Sequence, residues 1–146
     1  MKKLLVILGF VSFSVSAQKM TIELQKQQRY TCRKAVSVAQ CLSNPDIKWP
    51  AESNDALLVF DLDAKTFIAY IKDPEFIKGR DAIAGSGSIE VSNPSNKVTQ
   101  IKFVDPTNIS NYGIIIDRSK SPMLVARYML YDDYTIVEKF VNYKIR

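Results

Sequence analysis

Short apolar runs, broken at intervals by Pro, Asn, Asp and Gly, fill the chain from Leu57 to Ile145. LLVFDL (57–62) and TFIAYIK (66–72) flank Asp63-Ala64-Lys65, which predicts a hairpin with a three-residue loop. Asp73-Pro74 ends the second run, because proline has no N–H to give a ladder. Residues 75–81 read as a charged connector with room for one helical turn. Ala82 to Val91 forms a further run around Gly85-Ser86-Gly87-Ser88. KVTQIKFV (97–104) alternates cleanly, with Thr99, Ile101 and Phe103 opposed to Gln100 and Lys102. YGIIIDR (112–118) follows a loop begun by Asp105-Pro106. Met123 to Ile145 sets two β-type runs around Asp132-Asp133, flanked by Tyr131 and Tyr134. Strict alternation along the last of these runs puts Val137, Lys139, Val141, Tyr143 and Ile145 on one face.

The stretch from Met20 to Leu42 carries a different pattern. Leu24, Thr31, Ala35, Val38 and Leu42 recur at three- and four-residue steps or their sums, and the Gln- and Lys-rich filling favours helix. Thr21 would cap its start and Asn44-Pro45 would stop it. Cys32 and Cys41 complicate this reading. Nine residues of continuous helix would hold them about 13 Å apart, whereas a disulfide needs Cα atoms within about 7 Å. Either the helix breaks between the two cysteines or they pair with other chains; the favoured expectation is a break, with a short helix before Cys32 and another turn or two inside a disulfide loop.

About seven strands joined by short loops imply antiparallel neighbours. The fold class is α+β, mainly β: a strongly bent antiparallel meander, open as a sheet or an incomplete barrel. The disulfide would pin the N-terminal helical segment to it. Leu57 and Val59 on one face and Leu58, Phe60 and Leu62 on the other suggest that this strand is covered on both sides.

The first seventeen residues read as a leader. Lys2 and Lys3 precede an apolar run from Leu4 to Val11, and Val15-Ser16-Ala17 supplies a cleavage site. That run is too short for a bilayer span, which takes about 20 residues. The domain reading is a cleaved signal peptide over 1–17 and a single exported domain over 18–146, periplasmic or secreted, with no membrane span after cleavage. The whole chain has 20 basic and 15 acidic residues, a net charge of +5. Losing Lys2 and Lys3 reduces this to +3, which suits solubility and is no nucleic-acid footprint. An oxidising compartment favours a Cys32–Cys41 disulfide.

The composition narrows the chemistry further. With no histidine in the chain, Ser-His-Asp and Cys-His nucleophilic sites and histidine metal centres have no residues to build them. Oxidised cysteines supply no thiolate. No phosphate-binding loop or dinucleotide fingerprint occurs. Asp61 and Asp63, two apart, could hold a cation or act as acid and base, although both residues also suit the start of a turn. Asp132 and Asp133 carry the same two readings. The Gly-Ser repeat at 85–88 reads as a bend or bulge more readily than as an anion nest. Asn108-Ile109-Ser110 is a glycosylation sequon, relevant only in a eukaryotic source.

No catalytic residue, metal or cofactor is therefore expected. The expected function is a non-enzymatic binding protein, of inhibitor or immunity type, acting through a protein–protein surface. The candidate contacts are Trp49, the sole tryptophan, with Arg127, Tyr131, Asp132, Asp133 and Tyr134. Tyrosine, tryptophan and arginine are favoured where binding energy concentrates. The alternative is a carrier of a small apolar ligand inside the bent sheet, which would need a cavity of roughly 300 Å³ or more. The oligomeric state stays open.

Overall fold

The computed structural model describes residues 18–72, 81–104 and 112–146. The expected leader, the connector over 75–80 and the Asn108 sequon lie outside them. Among the described residues, nine strands and one short α-helix occur. The strands are β1 (Lys19–Cys32), β2 (Ile47–Lys48), β3 (Glu52–Asp61), β4 (Thr66–Lys72) and β5 (Asp81–Ser95), then β6 (Val98–Val104), β7 (Tyr112–Asp117), β8 (Leu124–Leu130) and β9 (Thr135–Ile145). The helix, α1, is Val38–Ser43.

All neighbouring strands are antiparallel, in the order β2-β1-β3-β4-β5-β6-β7-β8-β9. β1 also pairs with β9 from Ile22↔Ile145 to Cys32↔Thr135. Eight strands thus close into a barrel, with β2 as a short extension beside the end of β1. The incomplete barrel expected from the sequence is corrected to a closed one.

The strand that closes it is the segment read as helix. Over 19–32 the chain is extended, and its helix-favouring Gln and Lys residues are overridden by pairing on both edges. Ile22 and Leu24 point inward. Register shifts around Gln25 and Lys26 then change the phase, so that Gln27 turns inward while Tyr30 and Cys32 pack outward under α1. That phase change breaks the period-2 pattern and leaves spacings that imitate a helix.

Helix lies where the disulfide loop was expected to hold a turn or two. Ser37, not Thr21, is its N-cap, in a reciprocal capping box with Gln40. The helix ends before Asn44-Pro45, as the sequence indicated. Cys32 and Cys41 are bonded with Cα atoms 5.8 Å apart. Buried Cys41 packs with Tyr30, Ala126 and Val137, so the disulfide loop sits on the outer wall at β1, β8 and β9.

The barrel interior is lined by alternate residues. Phe60, Ile89, Ile101, Ile114, Ile116, Val125 and Phe140 are buried there, with Phe103 in aromatic contact with both Phe67 and Tyr112. The alternation read over 97–104 is seen directly, with Ile101 and Phe103 inside and Lys102 and Val104 exposed. Two other face assignments change. Leu57 and Val59 lie half-buried on the outer wall, while α1 packs on β1 and β9 instead. On β9, the pairs Gln27↔Phe140 and Lys26↔Asn142 leave Val141 as an extra residue. The face flips there: Val137 packs under α1, Val141 is 49% exposed, and Tyr143 and Ile145 join the interior.

Small residues serve local geometry. The Gly-Ser segment contains a register irregularity, since Ala69 pairs with Gly85 but Tyr70 pairs with Ile83. At Gly113 a Cβ would stand 2.3 Å from the Ile101 carbonyl oxygen and 2.6 Å from the Tyr128 hydroxyl. Tyr128 lies directly opposite Gly113. Its hydroxyl accepts a hydrogen bond from Gln100 Nε2 at 2.8 Å. Tyr128 therefore reaches past β7 to β6, and only glycine leaves room beneath it.

Candidate binding surface at the loop end of the barrel

The barrel has two unlike ends. At one, the start of β1 meets the end of β9: Thr21 and Arg146 exchange backbone hydrogen bonds at 2.9 Å. The other collects the end of β1, the disulfide loop, β2 and the β8–β9 turn, and we call its opening the mouth. Every contact residue expected from the sequence lies toward this second end.

The β1–β2 ladder pairs Tyr30 with Lys48, and the Trp49 N–H donates to the Arg29 carbonyl at 2.9 Å. Trp49 thus stands opposite Arg29. The Lys48 ammonium lies 5.8 Å from the Tyr30 ring centroid, on the outer face beneath α1. Trp49, one residue on, falls on the inner face. Its indole Nε1–H donates to Thr31 Oγ1 at 3.0 Å, and its backbone oxygen accepts from Gln28 Nε2 at 2.9 Å. The ring is fixed on its polar side, yet the residue is 46% exposed.

The β8–β9 turn is as short as expected: the Tyr131 N–H donates to the Tyr134 carbonyl at 2.9 Å across Asp132-Asp133. The Tyr131 and Tyr134 rings are stacked, with centroids 4.2 Å apart and planes 16° from parallel. Strand alternation puts both on the inner side of the rim, in phase with Met129 and Ile136. The Tyr131 hydroxyl donates to Met129 Sδ at 3.9 Å. Burial in this small cluster pushes the Tyr134 hydroxyl up, with Tyr131 and Asp133 adding to the shift. Asp132 and Asp133 are exposed at the tip. Outside the tip, an open groove of about 460 Å³ runs between it and the disulfide loop, lined by Val36, Gln40, Leu130, Tyr131 and Thr135 among others. Thr135 clamps the two together, accepting from the Val36 N–H and donating to its carbonyl.

Arg127 occupies a different place from a surface contact. It points into the barrel, directly opposite Glu138, which is also directly opposite Arg29 on its other flank. An Arg29–Glu138–Arg127 row therefore crosses β1, β9 and β8 just inside the mouth. Glu138 is fully buried. Its Oε1 accepts from Arg127 Nη2 at 2.7 Å, its Oε2 accepts from Gln27 Nε2, and Arg29 Nη2 stands 3.9 Å away. Burial works to lower the Arg127 pKa, but Glu138 and Tyr112 outweigh it and the net shift is upward. Among the described residues, Arg127 Nε and Gln27 Oε1 are buried without hydrogen-bond partners. The row could have been read from strand phase, since Arg127 alternates with Val125 and Met129, and Glu138 with Ile136 and Phe140. Gln27 was out of reach, because it needs the bulge.

Deeper in, a cavity of about 60 Å³ lies among Leu24, Leu58, Phe67, Phe103, Phe140 and the Arg127 side chain. On the outer wall a separate groove of about 210 Å³ opens beside the β1 bulge, between Glu23, Asp55, Leu57 and Tyr70. Asp61 and Asp63 both accept from backbone N–H groups: Asp61 Oδ1 from Ala64 within the turn at 2.9 Å, and Asp63 Oδ2 from Gln18 at the start of β1 at 2.7 Å. Tyr128 is buried and its hydroxyl is held by Gln100, so it presents no surface to a partner. Among the described residues, no group of three or more His, Cys, Asp or Glu could hold a metal ion, and no helix is long and apolar enough to cross a membrane.

The chain matches no protein-family model, and no curated protein aligns with it significantly.

Proposed function

We propose that this is an exported, non-enzymatic binding protein that holds a protein partner at the mouth of its barrel. The observation that supports the reading is the gathering of Trp49, Tyr131 and Tyr134 on the inner side of one rim, with Arg29 beside Trp49. These are the residue types on which interface energy concentrates. The indole is fixed by Thr31 and the two phenols by each other, so little side-chain entropy is left to lose on binding. The disulfide loop buttresses the turn through Thr135.

Co-purification of the mature protein from its native export fraction tests this. The wild type should bring down one stoichiometric protein. Trp49→Ala, or the pair Tyr131→Ala and Tyr134→Ala, should lose it, while Lys97→Ala at the opposite end keeps it. Equal recovery by all variants would remove the reading.

A second reading places a small apolar ligand in the lumen, favoured by the apolar wall of the inner cavity. At about 60 Å³ that cavity falls well short of the roughly 300 Å³ usual for ligands. Organic extraction of native protein, followed by mass spectrometry, would support this reading if one lipid or other apolar molecule came out in stoichiometric amount.

A further inference from the structure

We propose that the mouth recognises a carboxylate side chain carried by the protein partner, held by Arg29 beside the face of Trp49. The inference rests on the surface reading above and adds the chemistry of the partner. The Arg29–Glu138–Arg127 row holds two guanidiniums and one carboxylate. Arg127 takes the close contact at 2.7 Å, and Gln27 occupies the oxygen that Arg29 faces. Arg29 is left with a single contact of 3.9 Å and a side chain 44% exposed. Among the described residues it makes no other ion pair, so most of its five N–H donors are uncommitted. A guanidinium in that state, at the edge of a low-dielectric lumen, favours a planar carboxylate that can accept two parallel bonds. Trp49 supplies an apolar wall for the stem of the incoming side chain. At the tip, Asp132 and Asp133 are exposed and pair with no cation among the described residues. The complementary patch is therefore bipolar, with an acid opposite Arg29 and a base opposite the tip.

Trp49 is the sole tryptophan, so its fluorescence reports the mouth without a label. Mature protein is titrated with a capped tetrapeptide of aspartate, with its asparagine counterpart, and with inorganic phosphate. The expected result is a saturable change with the aspartate peptide in the millimolar range or below, and none with the asparagine peptide. Arg29→Gln should weaken the response about tenfold or more, and Arg29→Lys should recover part of it. Lys144→Gln, on the outer wall, should match the wild type. Melting curves of each variant show that it is folded. No saturable change, an equal response to the asparagine peptide, tighter binding of phosphate than of the aspartate peptide, or indifference to Arg29→Gln would each overturn the proposal. A protein partner retained by Arg29→Gln but lost by Trp49→Ala would remove the carboxylate and leave the surface reading standing.

Discussion

Glu138 shows how much one side chain can carry. It is fully buried between two arginines and a glutamine, and a carboxylate in that position costs several kcal/mol of desolvation unless it is paired. Removing it would leave Arg127 charged and half-buried without a counter-ion. Glu138→Ala should therefore lower stability by about 3–5 kcal/mol in urea melts. Replacing Arg127 by Met in the same chain should return part of that loss, because the stranded charge disappears with it. Gly113 makes the opposite argument, through space instead of charge. A methyl group there meets a backbone oxygen at 2.3 Å and the Tyr128 hydroxyl at 2.6 Å, and the first of these cannot swing away. Gly113→Ala should cost about 1–3 kcal/mol. Gly113→Ala in a Tyr128→Phe background relieves only the hydroxyl contact and should stay destabilised.

Among the elements, β1 decides between sheet and barrel. Seven strands were legible from the sequence because their alternation is regular and their turns carry Asp, Asn, Pro and Gly. The eighth was hidden. Its first half alternates, with Ile22 and Leu24 inside against Thr21 and Glu23 outside, but the bulge at Gln25 and Lys26 reverses the phase. The remaining spacings then mimic a helix in a stretch whose composition favours one. The same physics misplaced the end of β9, where the extra Val141 flips Tyr143 and Ile145 inward. The break between the cysteines was legible from a length: nine residues of helix cannot bring them together, and they stand on a strand end and a short helix with Cα atoms 5.8 Å apart. Cross-linking about ten residues should contribute roughly 2.5–3 kcal/mol. Cys32→Ser with Cys41→Ser should lower the unfolding free energy measured in urea melts by that amount. Amide exchange should rise first in α1 and the β8–β9 turn, which are buttressed through Val36 and Thr135. Uniform loosening of the whole barrel would contradict that local role.

On the scale of the molecule, closure sorts the residues into three environments. The interior is apolar and nearly full apart from the Gln27–Glu138–Arg127 cluster, the outer wall carries the helix and most of the charge, and the loop end exposes aromatics beside an arginine. Trp49, Tyr131 and Tyr134 were legible as residue types suited to interfaces. Their convergence on one rim was not, since it depends on β2 pairing beside β1 and on Trp49 falling in phase with Arg29. The move of Arg127 from surface contact to interior ion pair also follows from closure, which turns one face of β8 into a lumen wall. The proposed docking site for a partner is the mouth and nowhere else on the barrel. Site-specific photo-crosslinking tests it most directly, with a photoreactive residue placed in turn at Tyr134, at Trp49 and, as a control at the opposite end, at Lys97. The expected result is one protein adduct of constant mass from Tyr134 and Trp49 and none from Lys97. Adducts from Lys97 alone, or equal labelling from all three positions, would contradict it.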